Sequence, residues 1–155
     1  MRKDKTNYYL DRADAVLSRS TCLRRRYGAI IVKNDEIVAT GYNGAPRGRK
    51  NCDDLGSCKR EVLEIPSGER YELCRSVHAE MNAIISAARD QTIGSVLYLV
   101  GRDYKTDALL TSTTPCSMCR RVIINAGIEK VISRVTETEY TVTDVREWID
   151  NDDTM

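Results

Sequence analysis

Two short stretches constrain what this chain can fold into: Val77-His78-Ala79-Glu80 and, far downstream, Pro115-Cys116-Ser117-Met118-Cys119. Zinc prefers imidazole and thiolate ligands, and a catalytic zinc keeps one of its four positions open for water. His78, the only histidine in the chain, supplies three such ligands together with Cys116 and Cys119. Glu80 lies two residues past the histidine, so it cannot easily reach the same metal from one helical turn. It can instead face the water and move its proton, the task of a general acid and base. Each piece alone is weak. A lone histidine is usually a packing or surface residue, and a lone C-x-x-C is as readily a redox pair or half of a structural zinc site. In this order, with Pro115 directly before Cys116, the pieces read as one catalytic metal site.

The 155 residues give room for one domain, 1–155, with a core of its own. No apolar run is long enough to span a membrane, and the charged N-terminus leads into a mixed segment rather than an apolar signal core. The expected location is therefore the cytoplasm, where six cysteines serve as metal ligands more readily than as disulfides. Lys+Arg and Asp+Glu nearly cancel, for a formal charge of +1. Proteins that grip long DNA or RNA usually present a basic face. Near-neutrality favours a small substrate, with neither long nucleic acid nor membrane as partner. Arg24-Arg25-Arg26 is the only dense basic run. It reads either as a solvated loop or as a phosphate clamp.

Along the chain, Tyr9, Leu10, Ala13, Val16 and Leu17 share one face of a helix expected over 7–20. Residues 27–33 and 36–41 read as strands joined by Asn34-Asp35, a hairpin. Residues 47–74 are polar and irregular and carry Cys52, Cys58 and Cys74. So long a loop needs something to tie it down, and a metal would do so. A helix is expected over 77–89, burying Met81, Ile84, Ile85 and Ala88, with His78 and Glu80 at its start, where the helix dipole acts. A strand follows at 95–100. Residues 101–114 are polar and turn-rich. Pro115 suits the first position of a helix that carries Val122, Ile123 and Ala126 inward and ends at Gly127. A strand over 128–135, a short strand or helix around Trp148, and a frayed tail over 151–155 complete the chain. The order argues a single mixed sheet flanked by helices, an α/β layer fold.

With these residues in view, the chain resembles the deoxycytidylate (dCMP) deaminase family of the cytidine deaminase-like, zinc-dependent superfamily. The likeness runs over 18–135. It rests on Ser20-Thr21-Cys22, Gly28-Ala29, Gly41-Tyr42-Asn43-Gly44, Asn51-Cys52-Asp53-Asp54, His78-Ala79-Glu80-Met81-Asn82-Ala83 and Pro115-Cys116-Ser117-Met118-Cys119. The zinc motif fits the whole superfamily, while Gly-Tyr-Asn-Gly and Asn-Cys-Asp-Asp narrow it to this branch. The resemblance implies a three-layer sandwich and hydrolysis of dCMP to dUMP and ammonia. A zinc-activated water would attack C4 of cytosine, and Glu80 would protonate N3 and then the leaving amine. The backbone N–H of Ala79 and a carbonyl near Thr114 would orient the base. For the 5′-phosphate the resemblance points to Arg24, with Arg26 in reserve. Asn43 would meet the sugar, or is a plain turn residue.

The resemblance also implies a homo-oligomer, with a hexamer favoured, and dCTP and dTTP as effectors. Arg89 and Asn82 are the effector candidates. Family members often carry a second, structural zinc. No histidine is spare here, so Cys22, Cys52, Cys58 and Cys74 are expected to hold it as a four-cysteine site that ties down 47–74. Two features depart from the family pattern: residues 101–114 make an unusually long link, suited to overhanging the pocket or building an oligomer contact, and 58–74 lacks histidines. The rival readings are deamination of dCTP, of a purine or of a tRNA adenosine, and a zinc-stabilised nucleotide sensor without catalysis. A sensor would leave Glu80 without a task.

Overall fold

The computed structural model describes residues 1–152; the expected tail over 151–155 falls partly outside them. Helix α1 (Lys5–Leu17) is followed by strands β1 (Arg25–Lys33) and β2 (Glu36–Tyr42), then by two single-turn helices, α2 (Cys52–Leu55) and α3 (Lys59–Val62). A 3-10 turn at Tyr71–Leu73 precedes α4 (Ala79–Ile85), α5 (Arg89–Thr92), β3 (Val96–Asp103), α6 (Ser117–Ala126), β4 (Lys130–Arg134), β5 (Tyr140–Asp144) and α7 (Arg146–Asp150). The strands form one mixed sheet in the order β2-β1-β3-β4-β5, with β3 and β4 parallel and the other neighbours antiparallel. Antiparallel neighbours need only tight turns, whereas the parallel pair needs a crossover, which α6 supplies.

Strand alternation splits the core into two layers. Ala29, Ile31, Leu97, Leu99 and Val131 face α4 and α6, while Ile30, Val32, Tyr98, Val100 and Ile132 face α1. Helices on both faces give the expected three layers. The α1 stripe is as the periodicity indicates: Tyr9, Leu10, Ala13 and Leu17 are buried. Asp4 caps α1 by accepting from the N–H of Asn7 at 3.1 Å, so the helix starts before residue 7. Asn34 and Asp35 both take positive φ, 51° and 62°, as the turn of a tight hairpin requires.

Two glycines let helices touch the sheet. A Cβ on Gly28 would lie 2.1 Å from the Ala13 carbonyl oxygen, and one on Gly41 would lie 2.3 Å from both the Ala79 oxygen and the Ala83 nitrogen. The second contact corrects the expectation for the central helix. Ala79, Glu80 and Ala83 form its buried face, Met81 and Ile84 are partly buried, and Ile85 and Ala88 are exposed. The helix also breaks at Ser86 instead of running to residue 89. Small residues sit against Gly41 because only they allow the helix backbone so close, and this displaces the bulky stripe sideways.

Residues 101–114 form a hairpin continuing β3. The Asp103 N–H donates to the Ala108 carbonyl at 2.9 Å, the Leu110 N–H donates to that of Gly101, and Asp103 Oδ2 accepts from the N–H groups of Lys105 and Thr106. Asp103 is held below the usual carboxylate range chiefly by the bond from the Thr106 N–H. The hairpin folds back on β1, where the Tyr104 N–H donates to the Arg24 carbonyl. No described helix is long and apolar enough to cross a membrane.

Candidate active site

His78 is the N-cap of α4 and Cys116 the N-cap of α6, with Cys119 in the first turn of α6. Pro115 thus lies just outside α6 rather than at its first helical position. Helices α4 and α6 lie on the same face of the sheet and touch, so their starts converge. His78 Nδ1 lies 3.5 Å from Cys116 Sγ and 3.3 Å from Cys119 Sγ. The donor atoms of His78, Cys116 and Cys119 all lie within 4.8 Å of one another, the one such group among the described residues. A segment pairing holds this end in place: the Gly44 and Val77 backbones exchange hydrogen bonds of 3.3 and 2.7 Å. Asn82 Nδ2 donates to the Tyr42 carbonyl at 2.8 Å, tying α4 to the same loop.

The electrostatics suit a metal. The Cys116 thiol is lowered to about 4, first by its hydrogen bond with Cys119 and then, against burial, by that with His78. Its place at the start of α6 favours the anion further. Cys119 moves up, because Cys116 already carries the shared negative charge and Cys119 is buried. His78 moves up through its bond to Cys116. A deprotonated thiol, a second thiol in contact and an imidazole fit zinc in donor type and in mutual reach. Glu80 is 6 % exposed and its carboxyl is pushed up by burial. A carboxyl so placed holds a proton more readily than an exposed one, which suits a proton carrier at neutral pH.

His78, Glu80 and Cys116 open into a cleft also lined by Arg24, Arg25, Asn43, Arg60, Tyr71 and Thr114. Arg24 reaches the cleft but is paired with Glu61, Nε to Oε1 3.2 Å. Arg26 does not line it; its guanidinium pairs with Asp107 of the 101–114 hairpin. Asn43 lines it, yet both ends of its amide are occupied. Its Oδ1 accepts from the Tyr27 N–H at 2.9 Å and from Ser20 Oγ at 2.5 Å, and its Nδ2 donates to the Arg25 carbonyl at 2.9 Å. It braces the start of β1. Arg60 and Tyr71 entered the cleft without any sequence signal. Both come from the irregular 47–74 stretch, where no periodicity orients a side chain.

The remaining cysteines gather on the same side. Cys22, Cys58 and Cys74 line the cleft, and Cys52 feels the charge of all three. Burial pushes the thiols of Cys22 and Cys52 up. All six cysteines are free thiols. The four form a looser group than the His78 trio. Residues 47–74 are also tied by α2, α3 and the 3-10 turn, so the stretch is less structureless than its composition implies. Asn82 lines a second, polar cleft with Arg19, Tyr42, Arg47, Arg49 and Asn51. Arg89 lines neither cleft and donates to the Asn125 carbonyl at 2.7 Å.

The family model for the cytidine and deoxycytidylate deaminase zinc-binding region matches residues 3–135. The chain belongs to this family. A deoxycytidylate deaminase of Mycobacterium phage D29 is 35% identical over 136 residues, covering 84% of this chain and 94% of the relative. A deoxycytidylate deaminase of Schizosaccharomyces pombe is 32% identical over 126 residues, and the chain spans only 35% of its length. Among solved structures, the dCMP deaminase of cyanophage S-TIM5 in complex with dCMP and dUMP superposes with a TM-score of 0.62 at 29% identity, covering 86% of this chain and 83% of that one.

Proposed function

We propose that this family member is a hydrolase that converts dCMP and water to dUMP and ammonia, and that residues 1–155 act as one deaminase domain. The observation that carries the reading is the burial of Glu80 beside the His78, Cys116 and Cys119 trio, in a cleft whose walls also carry arginines. His78, Cys116 and Cys119 would hold zinc, which when bound supplies Lewis acidity that brings the pKa of water towards neutrality. Glu80 takes a proton from the attacking water, delivers it to cytosine N3, and protonates the amino group as it leaves. The carbon–oxygen bond to C4 forms, the C4–N4 bond breaks, and ammonia departs. The Ala79 N–H and the backbone near Thr114 orient the base. Leu99 and Tyr27, which line the cleft, limit water beyond the one consumed.

Cys22, Cys52, Cys58 and Cys74 would hold a second, structural zinc, an assignment supported by their donor chemistry and common neighbourhood. The cytoplasm supplies the reducing conditions that four free thiols need. Regulation by dCTP and dTTP fits the second cleft, where Asn82 lies with Arg19, Arg47 and Arg49; Arg89 does not line it and donates instead to the Asn125 carbonyl. A homo-oligomer, a hexamer in the expected form, fits the exposure of Ile85 and Val142.

The test is ultraviolet loss of the cytosine chromophore across dCMP, dCTP, CMP, deoxycytidine and cytidine. Turnover concentrated on dCMP is the expected result. Silence on the whole panel with zinc bound would sink the reading.

A further inference from the structure

Arg60 has an unusual environment for a cation. It is 6 % exposed, yet among the described residues no carboxylate lies within 4 Å of its guanidinium. Its Nη2 donates to the Pro66 and Glu69 carbonyls, each at 2.9 Å, and its guanidinium lies 4.6 Å above the centre of the Tyr71 ring. Nε is buried without any partner. A neutral donor could brace two carbonyls as well. A full charge taken out of water is costly unless an opposite charge meets it, and the Tyr71 face compensates it only in part. Among the described residues, then, no carboxylate pairs with this buried charge in the free protein.

Its position says which charge would meet it. Tyr71 stands edge-on to His78, with ring centres 5.0 Å apart, so Arg60 sits one ring further out from the reacting centre along the same wall. Arg60 lines the cleft that holds His78 and Glu80. A nucleotide whose base lies at Glu80 carries its phosphate outward by the length of a sugar. Of the other cations, Arg24 pairs with Glu61 and Arg26 with Asp107 outside the cleft; Arg25 donates only to the neutral Ser67 Oγ at 3.2 Å, but it is exposed, so water screens its charge as it does not screen that of Arg60. We propose that Arg60 is the residue that selects a 5′-phosphorylated substrate, its guanidinium receiving the phosphate of a pyrimidine nucleotide. The 47–74 stretch then has a task beyond packing: it carries the phosphate-recognising cation to the cleft and holds it there through Pro66, Glu69 and Tyr71. The inference rests on the dCMP reading and deepens it.

The experiment compares zinc-loaded wild type with Arg60→Gln on dCMP and on deoxycytidine, which lacks the phosphate. Glutamine keeps a donor for the loop carbonyls and removes the charge. The kcat/KM for dCMP should fall about ten- to a hundred-fold, as for loss of a charge-assisted hydrogen bond, while that for deoxycytidine stays within about two-fold. Equal falls on the two substrates would make Arg60 a brace of the loop, or a counter-charge for the nearby thiols, and overturn the proposal. No fall on dCMP would overturn it as well. A wild type without preference for dCMP overturns the underlying reading, and this shows before any variant is made. If Arg60→Gln does not fold, the wild type decides. An arginine Nε–H resonance with contacts to the Tyr71 ring should move downfield on titration with dUMP and stay still with deoxyuridine. No movement with dUMP would overturn the proposal.

Discussion

The two sets of thiols in this protein are placed by different means. Cys116 and Cys119 stand at the start of a ten-residue helix seated on the sheet, and His78 caps a helix whose backbone touches β2 at Gly41. Cys52, Cys58 and Cys74 stand on a stretch with two single-turn helices and a 3-10 turn, largely exposed around them. The first set is compact before any metal arrives; the second is only gathered. A site that must hold reacting atoms in register is built on elements fixed by core packing. A site proposed only to tie a loop can let its metal finish the geometry. The glycines show the same contrast. Gly41 has no room for a Cβ, whereas Gly48, Gly56 and Gly68, all with positive φ, have nothing within 4 Å of where one would stand.

The largest effect should come from the rigid end. Glu80→Gln is isosteric and removes the proposed proton carrier, so turnover should fall by about 10²- to 10⁴-fold. Zinc content and melting temperature should stay at wild-type values, and a variant that keeps its rate would remove Glu80 from its role. Gly41→Ala is next. The added methyl meets the α4 backbone at 2.3 Å, so the helix must retreat, at a cost of about 1–3 kcal/mol by overpacking. Because α4 carries His78 and Glu80, activity should drop with stability. Gly48→Ala should leave the rate unaltered, its strain confined to a positive φ of 89° on the surface. Equal rate losses for the two would erase the contrast.

Cys58→Ser probes the looser set. Zinc measured by elemental analysis should drop from two to one per chain, and proteolysis within 47–74 should quicken while the core melts nearly unchanged. One zinc in the wild type would sink the structural site. The smallest effect concerns α1, remote from both sets. Tyr9, buried and hydrogen-bonded to the Asp35 carboxylate, has its phenol pushed up from 10.0 to about 12, first by burial and then by that bond. The fold therefore keeps a proton that the unfolded chain releases. The associated stability is complete below pH 10.0 and is lost as pH rises through about 12. Denaturation midpoints should fall over this window, and less steeply in Tyr9→Phe. An identical slope in the variant would show that Tyr9 does not carry the loss.

Much of the architecture was legible because it is local. The α1 stripe, the Asn34-Asp35 hairpin and the Gly127 stop, with φ of 77°, follow from periodicity and from turn chemistry that acts over a few residues. The α4 face was not legible. Its bulky stripe is real, but a helix seated on a glycine buries its alanines, and hydrophobic periodicity cannot tell which of two apolar faces the sheet will accept. The ion pairs were equally hidden. Asp14, off the apolar stripe of α1, takes Arg102 in a two-point pair of 2.7 and 2.8 Å, and Asp11 pairs at 2.9 Å with the fully buried Arg134. These partners are far apart in the chain, and spacing carries no trace of them.

Residue type and short spacing were enough to pick out His78, Cys116 and Cys119, which the fold brings together, and Glu80 as the expected proton carrier, because metal and acid–base chemistry depend on just those features. Which cations line that cleft could be read only from the folded chain. Arg24 and Arg26 look alike in the basic run, yet Glu61 takes one and Asp107 the other, and Arg60, unremarkable in its own stretch, is left in the cleft wall without a carboxylate partner among the described residues. Charge pairing acts through space, so it is the fold, by bringing distant segments together, that gives two look-alike arginines different carboxylate partners.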